Sequence, residues 1–270
     1  MSHLSPTTFL CEAHFHIYDC FDLNLFFDSA WHNFYQQAQL LKTQNNFCAA
    51  LLLTEAKQDN WFLKLKENNS PAGNWSFHET NEQTSLSAQH TDGHEILIIN
   101  GRQIVTAENL EVLALATTEV LADGQPISKV VDWAINKHAI PVIPWGFGKW
   151  WGSRGDILSS ILNHFTAEKL FLGDNSGRPW FLGKPKHFDV AESEKRRILP
   201  GSDPLPFASE ATRPGSVGFY FTETFDKNAP AKCIRGHLKN PTTVIDNYMH
   251  REQLLPFIKN QFAMQIKKRI

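Results

Sequence analysis

His14-Phe-His16 closes an apolar, strand-like run, Thr8 to Ile17. Residues two apart on a strand point to one face, so the two imidazoles can address one divalent ion. Glu12 is expected on that face one step earlier. Other side chains with chemistry follow the later apolar runs. Glu55 follows Phe47–Thr54, Asp174 and Arg178 lie in Gly173-Asp-Asn-Ser-Gly-Arg178, and Asp203 lies in Gly201-Ser-Asp-Pro204. The stretch Trp145-Gly-Phe-Gly-Lys149-Trp-Trp-Gly-Ser-Arg154 sets a lysine and an arginine among glycines and aromatics. Asp203, Glu55 and Asp174 are the candidate catalytic carboxylates, as metal ligands or general bases. Lys149, Arg154 and Arg178 suit a phosphate or carboxylate, arginine as a fork and lysine as a point charge. Trp145 and its neighbours can wall such a ligand from water. Each group also has a plainer role: histidines in the core, an aspartate capping a turn, or loop cations paired with Asp156 or Asp174. Gln103, Glu108 and Glu111 surround the third strand region and are weaker candidates.

The elements that must position these residues alternate in period. After the first strand, Phe26, Phe27, Ala30, Phe34 and Ala38 share a face of a helix from about Leu23 to Leu41. Apolar runs at Phe47–Glu55, Leu110–Ala116, Ile140–Trp145, Lys169–Gly173 and Arg197–Pro200 read as strands. Helices are expected at 59–65, 127–137, 156–165 and 190–196. Repeated strand–helix units predict a parallel sheet, closed or open, whose ligands gather at the carboxyl ends of the strands. Residues 70–101 break the rhythm with short β segments and an Asp92-Gly93 hairpin signal, and read as a small antiparallel insertion. Residues 242–270 read as an amphipathic packing helix, kinked or divided at Pro256.

The whole 270-residue chain is read as one α/β domain. With 42% hydrophobic and 20% charged residues it can bury a large core. A net charge of −2 gives no electrostatic footprint for nucleic acid or a membrane surface. The start of the chain lacks the pattern of a secretory leader, and no apolar run is long enough to span a bilayer. Cys11, Cys20, Cys48 and Cys233 have no metal-ligand spacing and read as buried reduced thiols. A cytoplasmic protein is expected.

With these residues in view, the chain resembles the polymerase and histidinol phosphatase (PHP) superfamily, and more distantly the amidohydrolases, over about residues 8–222. Glu12-Ala-His14-Phe-His16 resembles the family's first-strand Asp-x-His-x-His. Leu53-Thr-Glu55 stands in the place of its Thr-Asp-His, and Gly101-Arg-Gln103-Ile is similar to its Gly-x-Glu-Ile. Pro141-Val-Ile-Pro-Trp145 resembles a strand that usually ends in His-Pro, and Gly201-Ser-Asp203-Pro-Leu205 resembles its closing Gly-Ser-Asp-Ala-His. The resemblance implies a distorted (βα)7-type TIM-like barrel, up to three metals and phosphoester hydrolysis.

Glu55, Gln103, Trp145 and Leu205 stand where the family carries His, Glu, His and His. Those replacements leave ligands for one divalent ion, zinc or manganese, at His14, His16 and Asp203. The expected function is a metal-dependent hydrolase acting on a phosphoester or other small anionic substrate. The alternatives are a degenerate barrel that binds a small anion without metal, and a metal-free lyase using Asp174, Asp203 and Lys149.

Overall fold

A computed structural model describes residues 6–249, apart from 69, 71, 177, 179, 180 and 182. Twelve strands and six helices are described. The first half runs β1 (Thr7–Phe15), α1 (Leu23–Leu40), β2 (Phe47–Leu53), α2 (Trp61–Lys66), β3 (Trp75–Glu79), β4 (Ser85–His90), β5 (Glu95–Ile99), β6 (Gly101–Val105) and β7 (Glu111–Leu115). The second half runs α3 (Ile127–Asn136), β8 (Ile140–Pro144), α4 (Ser153–His164), β9 (Phe171–Asn175), α5 (Lys186–Ser193), β10 (Ile198–Gly201), β11 (Gly218–Glu223), α6 (Pro230–Lys239) and β12 (Asp246–Tyr248).

The expected (βα)7 barrel is not what the chain forms. The strands divide into two mixed sheets, one of seven in the order β12-β11-β1-β2-β5-β4-β3 and one of five in the order β10-β9-β8-β7-β6. Parallel pairing is confined to two blocks, β1-β2-β5 and β8-β9-β10. Within them, α1, α4 and α5 supply three of the crossovers that parallel neighbours require, and α2 with β3 and β4 supplies the one from β2 to β5. Elsewhere pairing is antiparallel: β6 to β7, β7 to β8, and β11 to β1.

The segment expected as an insertion is part of the larger sheet. Strands β3, β4 and β5 form the antiparallel meander, and β5 pairs in parallel with β2. Gly93, at φ +88°, supplies the turn between β4 and β5. The expected helix over 242–270 is not seen in its described part, where residues 246–248 form β12; residues 250–270 lie outside the described set. Of the cysteines, Cys11 is buried, Cys48 and Cys233 are partly buried, and Cys20 is exposed.

Three apolar clusters show which way each strand residue faces. One lies between the larger sheet and α1 and α2, and holds Leu10, Leu51, Leu53, Phe26 and Phe62. A second lies between the smaller sheet and α3–α5, and holds Ile143, Trp145, Leu172 and Phe188. The third gathers the inward residues of both sheets, among them Phe9, Cys11, Leu52, Leu113, Val142, Phe171 and Leu199. Each strand therefore has a helix-facing set and an inward set, and the inward set leads to the site. No helix among the described residues is long and apolar enough to cross a membrane.

Candidate metal centre

Strand β1 carries an irregularity that decides where its histidines point. Its register with β2 runs from Glu12 opposite Leu51 to Phe15 opposite Leu53, three steps on one strand against two on the other. Such a bulge inserts one residue and reverses the alternation beyond it. Before it, Leu10 faces α1 while Phe9 and Cys11 face inward; beyond it, Phe15 and Ile17 face α1. His14 and His16 are thereby turned inward, away from the face that Glu12 occupies. Glu12 accordingly does not join them. Its carboxylate accepts from the Ser202 amide at 2.9 Å, from the Ser202 hydroxyl, and from the Gly215 amide at 2.5 Å.

The two histidines meet Asp203. Nε2 of His14 and Nε2 of His16 lie 3.1 Å apart, and each is 3.5 Å from Oδ1 of Asp203. Gln103 brings Oε1 to 3.1 Å from Nε2 of His14. Both rings are buried. A tetrahedral ion with bonds of about 2.0–2.1 Å sets its donors about 3.3 Å apart, and these separations bracket that value. His14, His16 and Asp203 are thus close enough together to hold one metal ion. Neither Nδ1 has a hydrogen-bond partner among the described residues.

Asp203 reaches the histidines because β10 runs close against β1. A Cβ at Gly201 would lie 2.5 Å from the His14 nitrogen, so only glycine permits this approach. The Asp203 amide donates to the His14 carbonyl at 2.9 Å, and its backbone takes a positive φ of +45°. Aspartate tolerates that left-handed conformation better than most residues. Asn175, at the end of β9, donates to Oδ2 of Asp203 and to the Trp145 carbonyl, both at 2.9 Å.

The electrostatics suit a ligand set. Burial alone would raise the Asp203 carboxyl, but the neighbouring His14, His16 and Lys149 hold it well below the usual range. Burial lowers the proton affinity of His14, outweighing the pull of Asp203. One carboxylate and at least one neutral imidazole are what a divalent ion needs.

Glu55, Asp174 and Trp145 lie at the expected strand ends but on the other face. Glu55 shares its alternation with Leu51 and Leu53 and turns to α2. There it accepts from the Phe62 amide at 2.8 Å and lies 3.2 Å from Arg102. Burial raises its carboxyl, against the pull of that amide and of Arg102. Asp174 shares its alternation with Leu172 and pairs with Arg178 through two parallel bonds of 2.8 and 2.5 Å. Arg178 is buried, donates also to the Gly183 carbonyl at 2.7 Å, and lies 5.6 Å from the Phe188 ring. Trp145 and Trp150 pack their rings into the core under the helices, while Trp151 is exposed.

Lys149 does belong to the centre. Its ammonium pairs with Glu111, which shares the inward face of β7 with Leu113, and its charge reaches Asp203. Arg154 donates to the Gly148 carbonyl at 2.8 Å and braces the loop that carries Lys149. Among the residues that strand-end reasoning missed are Asn175 and Tyr18. Asn175 is next to Asp174 on the alternate face, a position the alternation of β9 identifies. Tyr18 continues the i, i+2 spacing of the histidines and sets its ring 5.6 Å from His16. Burial, with the charges of Asp203 and Asp59 nearby, pushes its phenol up.

No family model matches the chain, and no curated protein matches it. Among solved structures it is similar to that of PsfC from Pseudomonas syringae PB-5123. The identity is 10% and the TM-score 0.53, over 91% of this chain and 92% of that one. At that identity the likeness concerns the fold alone.

Proposed function

We propose that the protein is a metal-dependent hydrolase that holds one divalent ion, zinc or manganese, and acts on a small anionic substrate, a phosphoester by first choice. One observation carries this reading: Nε2 of His14 and of His16, at the end of β1, and Oδ1 of Asp203, in the loop after β10, converge at 3.1–3.5 Å. When bound, the ion supplies Lewis acidity and lowers the pKa of a coordinated water toward neutrality. Asp203 is oriented by Asn175, and Gln103 lies against His14. Lys149, paired with Glu111 and with its charge reaching Asp203, is suited to steady the negative charge that develops in hydrolysis.

Charge balance favours this reading over a metal-free anion binder. With both imidazoles neutral, Asp203 and Glu111 outweigh Lys149, so without an ion the centre is net negative and repels an anion. A divalent ion reverses that balance. Arg178 does not restore it, because its guanidinium is committed to Asp174. The resemblance of Glu12-Ala-His14-Phe-His16 and Gly201-Ser-Asp203 to PHP segments supports the same choice.

The test is elemental analysis of protein purified without a His tag after growth with added zinc and manganese. About one transition metal per chain is expected, lost in the His14→Ala, His16→Ala double variant. Absence of metal in the wild type overturns the proposal. With metal present, a screen of model phosphoesters should show hydrolysis that Asp203→Asn abolishes; retained activity in that variant removes Asp203 from the ligand set.

A further inference from the structure

The Asp203 ligand is gripped from behind as well as in front. Glu12, on the α1-facing side of β1, directs one carboxylate oxygen at the amide and hydroxyl of Ser202, the residue before Asp203. The other oxygen takes the Gly215 amide. Ser202 is fully buried, and its carbonyl accepts from the Ser176 hydroxyl at 2.8 Å. Ser176 in turn takes a hydrogen bond from Arg213, which pairs with Glu210 at 2.6 Å. The loop after β10 is therefore pinned on the helix side by Glu12 and on the inner side by the Asp203–Asn175 contact. Between these two holds, Asp203 keeps its uncommon positive φ. A buried carboxylate with three donors, beyond contact with the histidines yet joined to the residue before a ligand, is placed to set that ligand's position.

We propose that Glu12 is the positioning residue for the metal ligand Asp203. It acts through Ser202 and sets how tightly the centre binds its ion. This rests on the metal reading above. Outer partners that orient a ligand typically change metal affinity by about 10–100-fold when removed.

The experiment titrates metal-free full-length protein with Co²⁺, read by calorimetry and by the visible absorption of the bound ion, alongside thermal unfolding of each variant. Glu12→Gln should weaken Co²⁺ binding about tenfold or more and alter the absorption band. Ser202→Ala, which removes one hydroxyl and keeps the protein testable should Glu12→Gln fail to fold, should weaken binding in the same direction. The double variant should bind no more weakly than Glu12→Gln alone, because the two groups act as one contact. Glu82→Gln serves as the control. Glu82 is another carboxylate held by backbone amides, those of Ala231 and Lys232 at 2.8 Å, far along the chain from the centre. It should lower the unfolding temperature and leave Co²⁺ affinity unchanged.

Glu12→Gln or Ser202→Ala protein that unfolds earlier but binds Co²⁺ within twofold of wild type overturns the positioning role and leaves the metal reading standing. Fully additive losses in the double variant overturn it too. Failure of wild-type protein to bind Co²⁺ overturns the metal reading and this inference with it.

Discussion

Two buried polar groupings lie at strand ends in this molecule, on opposite faces of their sheets. On the helix side, Asp174 and Arg178 satisfy one another in a fork, and Gly183 takes a further donor. On the inner side, His14, His16, Gln103 and Asp203 crowd four donor or acceptor atoms together without matching them. Three groups surround Nε2 of His14, which carries at most one hydrogen, and both Nδ1 atoms lack a partner among the described residues. Buried polar groups are ordinarily matched. The matched cluster is thus a structural brace, and the unmatched one suits the metal ion proposed above. Polarity at a strand end does not by itself separate the two; satisfaction of the hydrogen bonds does.

The largest effects should separate the two groupings. Asp174→Ala leaves the Arg178 guanidinium buried and uncompensated, a change that costs about 3–5 kcal/mol. Urea unfolding should show that loss, while Co²⁺ affinity in the protein that remains folded stays near wild type. Asp203→Ala should do the reverse, weakening Co²⁺ binding by roughly two orders of magnitude, or about 2.7 kcal/mol, with a smaller change in stability. A stable Asp174→Ala protein that has lost its metal would exchange the roles assigned to the two clusters.

Glu12 is a third case, a carboxylate held by hydrogen-bond donors. Burial pushes its carboxyl up to about 7, against the pull of the Ser202 and Gly215 donors. The folded chain therefore binds this proton more tightly than the unfolded chain does. The stability it contributes is complete below the unfolded value of 4.5 and is lost as pH rises through about 7. At about 1.4 kcal/mol per pH unit, the loss approaches about 3 kcal/mol. In metal-free protein, wild-type stability should fall relative to Glu12→Gln between pH 4.5 and 8. Parallel profiles would show that Glu12 titrates in the fold as it does in water.

Much of the fold was legible because apolar periodicity reports burial. Helix α1, the β4–β5 turn and the first parallel strands fall where the pattern set them. The barrel was not legible as wrong: sheet closure depends on pairing partners, and the aromatic run of β11 does not announce that it pairs antiparallel with β1. The site was half legible. That strand ends carry His14, His16 and Asp203, which lie close enough together to hold one ion, was legible. The facing of each residue was not, since Glu55, Asp174 and Trp145 lie one step out of phase with the inward set. For Glu12 the alternation itself misled, because no residue in Glu12-Ala-His-Phe announces the bulge that turns the histidines away from it.

The close seam between β10 and β1 gives the next test. Gly201→Ala sets a methyl group against the His14 backbone, and overpacking of this kind costs about 1–3 kcal/mol. Because the clash lies on the seam and the strands must part to relieve it, Asp203 should move with β10. Metal affinity should then fall along with stability. Gly173→Ala, whose Cβ would meet Pro144 at 3.0 Å within the smaller sheet, should lower stability alone.

The smallest expected effect concerns Gln103, whose Oε1 stands 3.1 Å from Nε2 of His14. An amide oxygen carries no formal charge, so its contribution to binding a divalent ion is modest beside that of Asp203. Gln103→Leu should weaken Co²⁺ binding by about tenfold or less, about 1.4 kcal/mol. Gln103→Glu adds a carboxylate at the same place and should tighten it. Opposite signs for the two substitutions would keep Gln103 as the fourth member of the unmatched cluster. Equal losses would mean that Gln103 only hydrogen-bonds the histidine, and would return it to the matched kind of polar group that Asp174 and Arg178 represent.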